Sequence, residues 1–151
     1  MSTSKQLVYL PLGGAGEIGM NMYLYGFGPE KDRDWIMVDC GVSFGDMSSS
    51  PGIDLVMPDI EFVHEIAGRL KAIFITHAHE DHIGALGRLW PQMRAPIHAP
   101  AFTASIARRK LSECGYSESV VHEAAWDTPR RAGPLAVSSR RGKPSIPHPS
   151  M

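Results

Sequence analysis

The junction at residues 72–82 constrains this chain most. Ala72-Ile73-Phe74-Ile75-Thr76 is a short apolar run, and His77-Ala78-His79-Glu80-Asp81-His82 follows it without a break. The run reads as a strand buried on both faces, which demands flanking strands and covering layers. The six residues after it hold three imidazoles and two carboxylates, so the chain must emerge from its core into a cluster of ligand-type side chains. Imidazole and carboxylate together suit zinc or a similar divalent ion. In an extended turn His77 and His79 point to one side and can share an ion, while Asp81 and His82, opening the next helix, can reach a second. Two ions about 3.5–4 Å apart polarise a phosphoryl or carbonyl oxygen and hold a hydroxide as nucleophile. Only seven histidines occur in 151 residues, so three within six positions is a poor match to a chance polar turn.

The flanking sequence predicts strands first and alternation afterwards. Residues 7–12 predict a strand in which Pro11 marks an edge or an end. A glycine-rich turn at 13–19 leads to a second strand at 21–27, a charged turn at 28–34, and a third, buried strand at 35–39. The long connection at 40–58 reads as a functional or mobile loop. Asp59 suits the N-cap of a helix over about 60–70, with Phe62, Val63, Ile66, Ala67 and Leu70 as its apolar stripe. Residues 83–90 predict a helix and 96–99 a strand. Pro100 opens a helix over about 101–113 that Gly115 closes, and a short strand follows at 119–122. Strands alternating with helices predict an α/β layer structure. From Asp127 to Met151 there are five prolines, five Arg or Lys, one acid and no aromatic, so 1–126 reads as the ordered unit and 127–151 as an irregular tail, disordered or frameshifted.

Composition removes several classes. Hydrophobic residues at 43% and charged residues at 21% are ordinary for a globular domain. No apolar stretch is long enough to predict a membrane span, and the N-terminus lacks a signal-peptide core. Two cysteines, Cys40 and Cys114, are too few for a disulfide framework, which predicts a reducing, cytoplasmic setting. A net charge of −1 announces no global nucleic-acid field. Arg108-Arg109-Lys110 reads as a solvated helix face before it reads as a phosphate contact. Gly14-Ala15-Gly16-Glu17-Ile18-Gly19 matches a dinucleotide fingerprint, but the residues after it predict a hairpin, which offers no helix N-terminus to a pyrophosphate. The turn needs glycines at positive φ instead.

Three stretches carry a resemblance to a known family. They are Leu12-Gly13-Gly14-Ala15-Gly16-Glu17-Ile18-Gly19-Met20-Asn21, Gly52-Ile53-Asp54-Leu55-Val56-Met57-Pro58-Asp59 and Phe74-Ile75-Thr76-His77-Ala78-His79-Glu80-Asp81-His82-Ile83-Gly84-Ala85. In this order they resemble the N-terminal part of the ribonuclease J family, in the β-CASP group of the metallo-β-lactamase superfamily. The resemblance implies the first half of an αββα sandwich. It implies a cytoplasmic, zinc-dependent RNA hydrolase with 5′-to-3′ exonuclease and endonuclease action. His77 and His79 would bind one zinc, and Asp81 and His82 the other. Asp39 would support the metal loop by hydrogen bonds without ligating. A structural calcium site is implied near Pro51 to Ile53, and homo-oligomerisation through a domain outside this chain. No residue is assigned to RNA contact.

The sequence departs from the family pattern toward its end. A further metal-binding histidine belongs in a His-Ser-Ile-Pro-like motif, and here Lys143-Pro144-Ser145-Ile146-Pro147 places Pro144 at that position. The bridging aspartate and the β-CASP domain are not in the chain. Weak metal binding and little hydrolysis by this chain alone are therefore expected. His98, His122 and His148 have no spacing that makes them substitutes. The alternatives are another hydrolase of the superfamily, acting on a thioester or lactone, and a metal-binding remnant without turnover.

Overall fold

A computed structural model describes residues 4–142. Three antiparallel strands open it: β1 (Gln6–Gly13), β2 (Met22–Gly28) and β3 (Asp34–Val38). β1 lies at a sheet edge, and its pairing slips between Pro11 and Gly13, where the ring removes a ladder donor. The turn between β1 and β2 holds Gly14, Gly16 and Gly19 at φ of 83°, 74° and 89°, so the glycine motif shapes a hairpin connection.

The loop after β3 contains a two-strand pair that its composition did not announce, β4 (Ser43–Phe44) with β5 (Leu55–Val56). Next comes a single helical turn, α1 (Glu61–Glu65). Asp59 does accept the Glu61 N–H at 2.9 Å, but the helix does not run to residue 70. The Ile66 carbonyl takes the N–H groups of both Arg69 and Leu70, which tightens the chain and releases Leu70 into β6 (Leu70–Phe74). β6 thus begins and ends two residues before the apolar run of the sequence. α2 (Glu80–Ile83), α3 (Leu86–Met93), β7 (Ile97–Ala99), α4 (Ala101–Glu113) and β8 (Val121–Glu123) complete the alternation. The helix expected at 83–90 is two helices broken at Gly84 and Ala85. α4 closes as a Schellman turn, with Tyr116 N–H on the Leu111 carbonyl and Gly115 N–H on that of Ser112.

One six-stranded sheet results, ordered β1-β2-β3-β6-β7-β8, parallel from β3 onward. Its helical face buries Met22, Leu24, Met37, Ile73 and Ile97 against Val63, Leu86 and Leu111, all essentially without solvent contact. Each large aliphatic side chain so buried contributes about 1.5–3 kcal/mol. The opposite face carries Ile36, Ala72 and Phe74. The expectation of an irregular tail over 127–151 fails for residues 130–137, while residues 143–151 lie outside the described residues. Arg130–Ala132 (β9) and Leu135–Val137 (β10) form a hairpin that lays Ala132, Leu135 and Val137 over those three residues. Its strands are too short to show a period, and the apolar ground they cover exists only once the sheet has formed. Toward the edge the same face stays open, with Tyr9 half-exposed, stacked on Tyr23 and tilted against Tyr25. No helix among the described residues is long and apolar enough to cross a membrane.

Candidate metal centre

The parallel pairing of β3 with β6 brings the ends of both strands together, Val38 opposite Phe74. Asp39 follows β3 with φ of 64°, a left-handed conformation that aspartate tolerates better than most residues. Its N–H bonds the Phe74 carbonyl, and its carboxylate, only 3% exposed, turns toward the loop after β6. There it accepts the Thr76 N–H at 2.8 Å, the Thr76 hydroxyl at 2.9 and 3.0 Å, and His82 Nδ1 at 2.7 Å. A buried carboxylate with this many donors has its hydrogen-bonding capacity met.

Asn21 and residues 40–42 then grip the loop by its backbone. Asn21 N–H bonds the Asp81 carbonyl, Cys40 N–H that of His82, and Val42 N–H that of Glu80. The grip is close. A Cβ on Gly41 would lie 1.7 Å from the Asp81 carbonyl oxygen, so no other residue fits there without moving backbone.

Ligand atoms of His77, Asp81 and His82 converge within 4.8 Å of one another. The His77 and His82 rings are 3.9 Å apart, and His82 Nε2 lies 3.4 Å from Asp81 Oδ2. His79 stands beside His77, ring centroids 4.8 Å apart, but outside that convergent group. It lines a shallow groove with Ile18, Phe44 and Asp81. His98 and His122 stack on each other on β7 and β8, apart from the group, and His148 and Pro144 lie outside the described residues.

The electrostatics separate the histidines. Burial lowers the His77 pKa, and His82 nearby adds to the effect. Burial also pulls His82 down, but the hydrogen bond and charge of Asp39, with the charge of Asp81, outweigh it and raise the value. With Nδ1–H held by Asp39, Nε2 of His82 presents its lone pair to the group. Imidazole nitrogens beside a carboxylate are the donor types that hold a divalent cation.

Sequence reasoning missed two residues. Thr76 ties Asp39 to the start of the loop, and its hydroxyl lies 2.9 Å from His77 Nδ1. Asn21 donates through Nδ2 to the Asp81 carbonyl at 3.0 Å and lies 3.3 Å from His82 Nε2, with Tyr23 donating to its Oδ1. Its only sequence signal was its place at the end of the glycine motif.

Fold and site together define a class. The sequence matches the metallo-beta-lactamase superfamily over residues 16–150, and the chain belongs to that superfamily, which is metal-dependent. The matched range takes in the stretch after Asp127. More narrowly, the chain is 48% identical over 150 residues to ribonuclease J of Sinorhizobium meliloti, covering 99% of this chain and 26% of that protein. It is 37% identical over 139 residues to ribonuclease J 1 of Streptococcus pyogenes, covering 91% of this chain and 24% of that protein. The chain thus spans about a quarter of the length of these relatives, at their N-terminal part. Among solved structures, the metallo-beta-lactamase SMB-1 bound to 2-mercaptoethanesulfonate aligns with a TM-score of 0.54 at 19% identity, over 86% of this chain and 49% of that one. That likeness concerns the fold alone.

Proposed function

We propose that this chain carries the first metal-ligand set of a ribonuclease of the ribonuclease J type, a hydrolase of RNA phosphodiester bonds acting as 5′-to-3′ exonuclease and endonuclease. The observation that carries the reading is the convergence of His77, Asp81 and His82 beside a buried, fully engaged Asp39. The donor set fits zinc, since borderline nitrogen and oxygen ligands are what that ion prefers. His77 and His79 would hold one ion, Asp81 and His82 a second. Divalent cations here would supply Lewis acidity toward a phosphoryl oxygen and toward the attacking water.

The chain's own residues do the positioning. Asp39 keeps His82 in one tautomer and orientation. Thr76 fixes Asp39, and Asn21 braces the Asp81 peptide. Identity to the ribonuclease J proteins favours RNA over a thioester or lactone as substrate. Pro144 stands where the family pattern has a ligating histidine, so the chain alone is expected to bind weakly and turn over little. A structural calcium near Pro51 to Ile53, cytoplasmic location and homo-oligomerisation through another domain belong to the same reading.

Calorimetric titration of the chain with zinc and manganese tests it, alongside digestion of 5′-monophosphorylated RNA and an activated ester. Binding that weakens at least tenfold in His77→Ala and in His82→Ala supports the centre. Undiminished binding in both variants would remove it. Turnover of the ester but not of RNA would point to the other hydrolase reading.

A further inference from the structure

Each cation of the run on α4 has an acidic partner. Arg108 pairs with Glu123 at 3.2 Å and Arg109 with Glu113 at 2.9 Å. Lys110 reaches instead across to α2, where its Nζ lies 2.7 Å from Glu80 Oε1. This is the shorter and less solvated contact on the lysine side, with the Lys110 side chain 20% exposed. Glu80 sits inside the metal loop, between His79 and Asp81.

Two further features give that contact meaning. α2 is four residues long, and no side chain caps its N-terminus. A single turn cannot hold itself, so the presentation of Asp81 and His82 depends on outside anchors. The backbone anchors come from Asn21, Cys40 and Val42. Lys110 supplies a side-chain anchor from α4. The approach of α4 is built for it: a Cβ on Gly87 would lie 2.7 Å from the Lys110 carbonyl oxygen and 2.9 Å from Cys114 Sγ. Any larger residue at position 87 would push α4, and the lysine with it, away.

We propose that Lys110 is a positioning residue for the metal centre, a strut from α4 that holds Glu80 and so fixes the turn presenting Asp81 and His82. The inference rests on the metal-centre reading. It assigns the lysine a role inside the protein rather than on a phosphate backbone.

The test is the double variant E80Q/K110M in the full chain, which removes the strut at constant net charge. Zinc affinity is read by competition with a chelating dye, and the coordination sphere by the visible spectrum of the cobalt(II)-loaded chain, both far below the melting temperature. Affinity should fall roughly two- to fivefold, the range one partly exposed ion pair can supply, and the cobalt bands should shift. K110R, which keeps the ion pair, should bind within twofold of wild type. Unchanged affinity and bands in the double variant, with only the melting temperature lowered, would overturn the proposal. If the double variant does not fold, E80Q with Lys110 left in place carries the same two readouts. A wild-type chain that binds neither ion would overturn the metal-centre reading and this inference together, whereas equal binding by wild type and variant overturns this inference alone.

Discussion

Asp39→Asn isolates the group on which the centre is built. Asparagine has the same shape and tolerates the φ of 64° at this position, so the backbone is not strained. The amide oxygen can still accept the Thr76 N–H. The amide NH2 then faces His82 Nδ1, which donates to the carboxylate at 2.7 Å in the wild type. Two donors oppose each other in a site 3% exposed. The loss of a charge-assisted bond and the unpaired donor together cost about 2–3 kcal/mol. His82 can escape only by moving its proton to Nε2, the nitrogen that faces Asp81. That removes a ligand lone pair, and metal affinity should fall roughly 10–100-fold. Urea unfolding of the ion-free chain measures the first quantity and zinc competition the second. The pH dependence supplies a third check. Asp39 and Asp81 raise the His82 pKa above its ordinary 6.5 against the pull of burial. A raised folded value gives stability that is present in full below 6.5 and is lost as pH rises through the folded value. The gap between wild type and Asp39→Asn should therefore be widest in mild acid and narrow toward alkaline pH. A variant within about 0.5 kcal/mol of wild type, with zinc affinity unchanged, would refute the reasoning.

Gly41→Ala should destabilise by about 3 kcal/mol, because the new methyl meets the Asp81 carbonyl oxygen and the backbone must move; urea unfolding checks this, and a loss under about 1 kcal/mol would show the loop to be looser than its geometry. His98 is held below its ordinary 6.5 by burial first, then by the charges of His122 and Arg130, and its Nδ1 is buried without a partner. A depressed folded value gives stability present above 6.5 and lost as pH falls through the folded value. His98→Phe keeps the stack between Phe74 and His122 and should flatten the fall in melting temperature between neutral and mildly acidic pH; parallel profiles would remove His98 from the account.

What could be read from the sequence divides by chain separation. Strands β1 to β3 and helix α4 were legible because their patterns are local: alternation, a charged turn, Pro100 before and Gly115 after. The candidate donors from His77 to His82 were legible for the same reason, being consecutive, and the structure brings His77, Asp81 and His82 together but not His79. Errors came where a distant element decides. The apolar run at 72–76 looks like strand throughout, yet the β3 partner ends at Val38, opposite Phe74, so the ladder with β3 stops there. Ile75 bonds the His98 carbonyl as the chain leaves the sheet. The helix expected to residue 70 stops because Leu70 is needed opposite Trp35. The hairpin at 130–137 was invisible because its reward, burying Ala132 on Ile36 and Phe74, is not written in its own residues.

The same division separates ligands from supports. Asn21 acts on Asp81 from 60 residues away, Asp39 on His82 from 43, and Lys110 on Glu80 from 30. Asp39 was named beforehand only through a family resemblance, and the other two were not assigned this work. A short loop can list the donors a cation needs, but at one helical turn it cannot hold them in place. The sheet does that, by parallel pairing that sets the end of β3 beside the end of β6, and Lys110 on α4 adds a side-chain contact to the loop. The candidate donors are a local code and their orientation is a property of the topology, so under the proposed metal-centre reading substitutions at Asn21, Asp39 or Lys110 should alter metal affinity while leaving every donor in place.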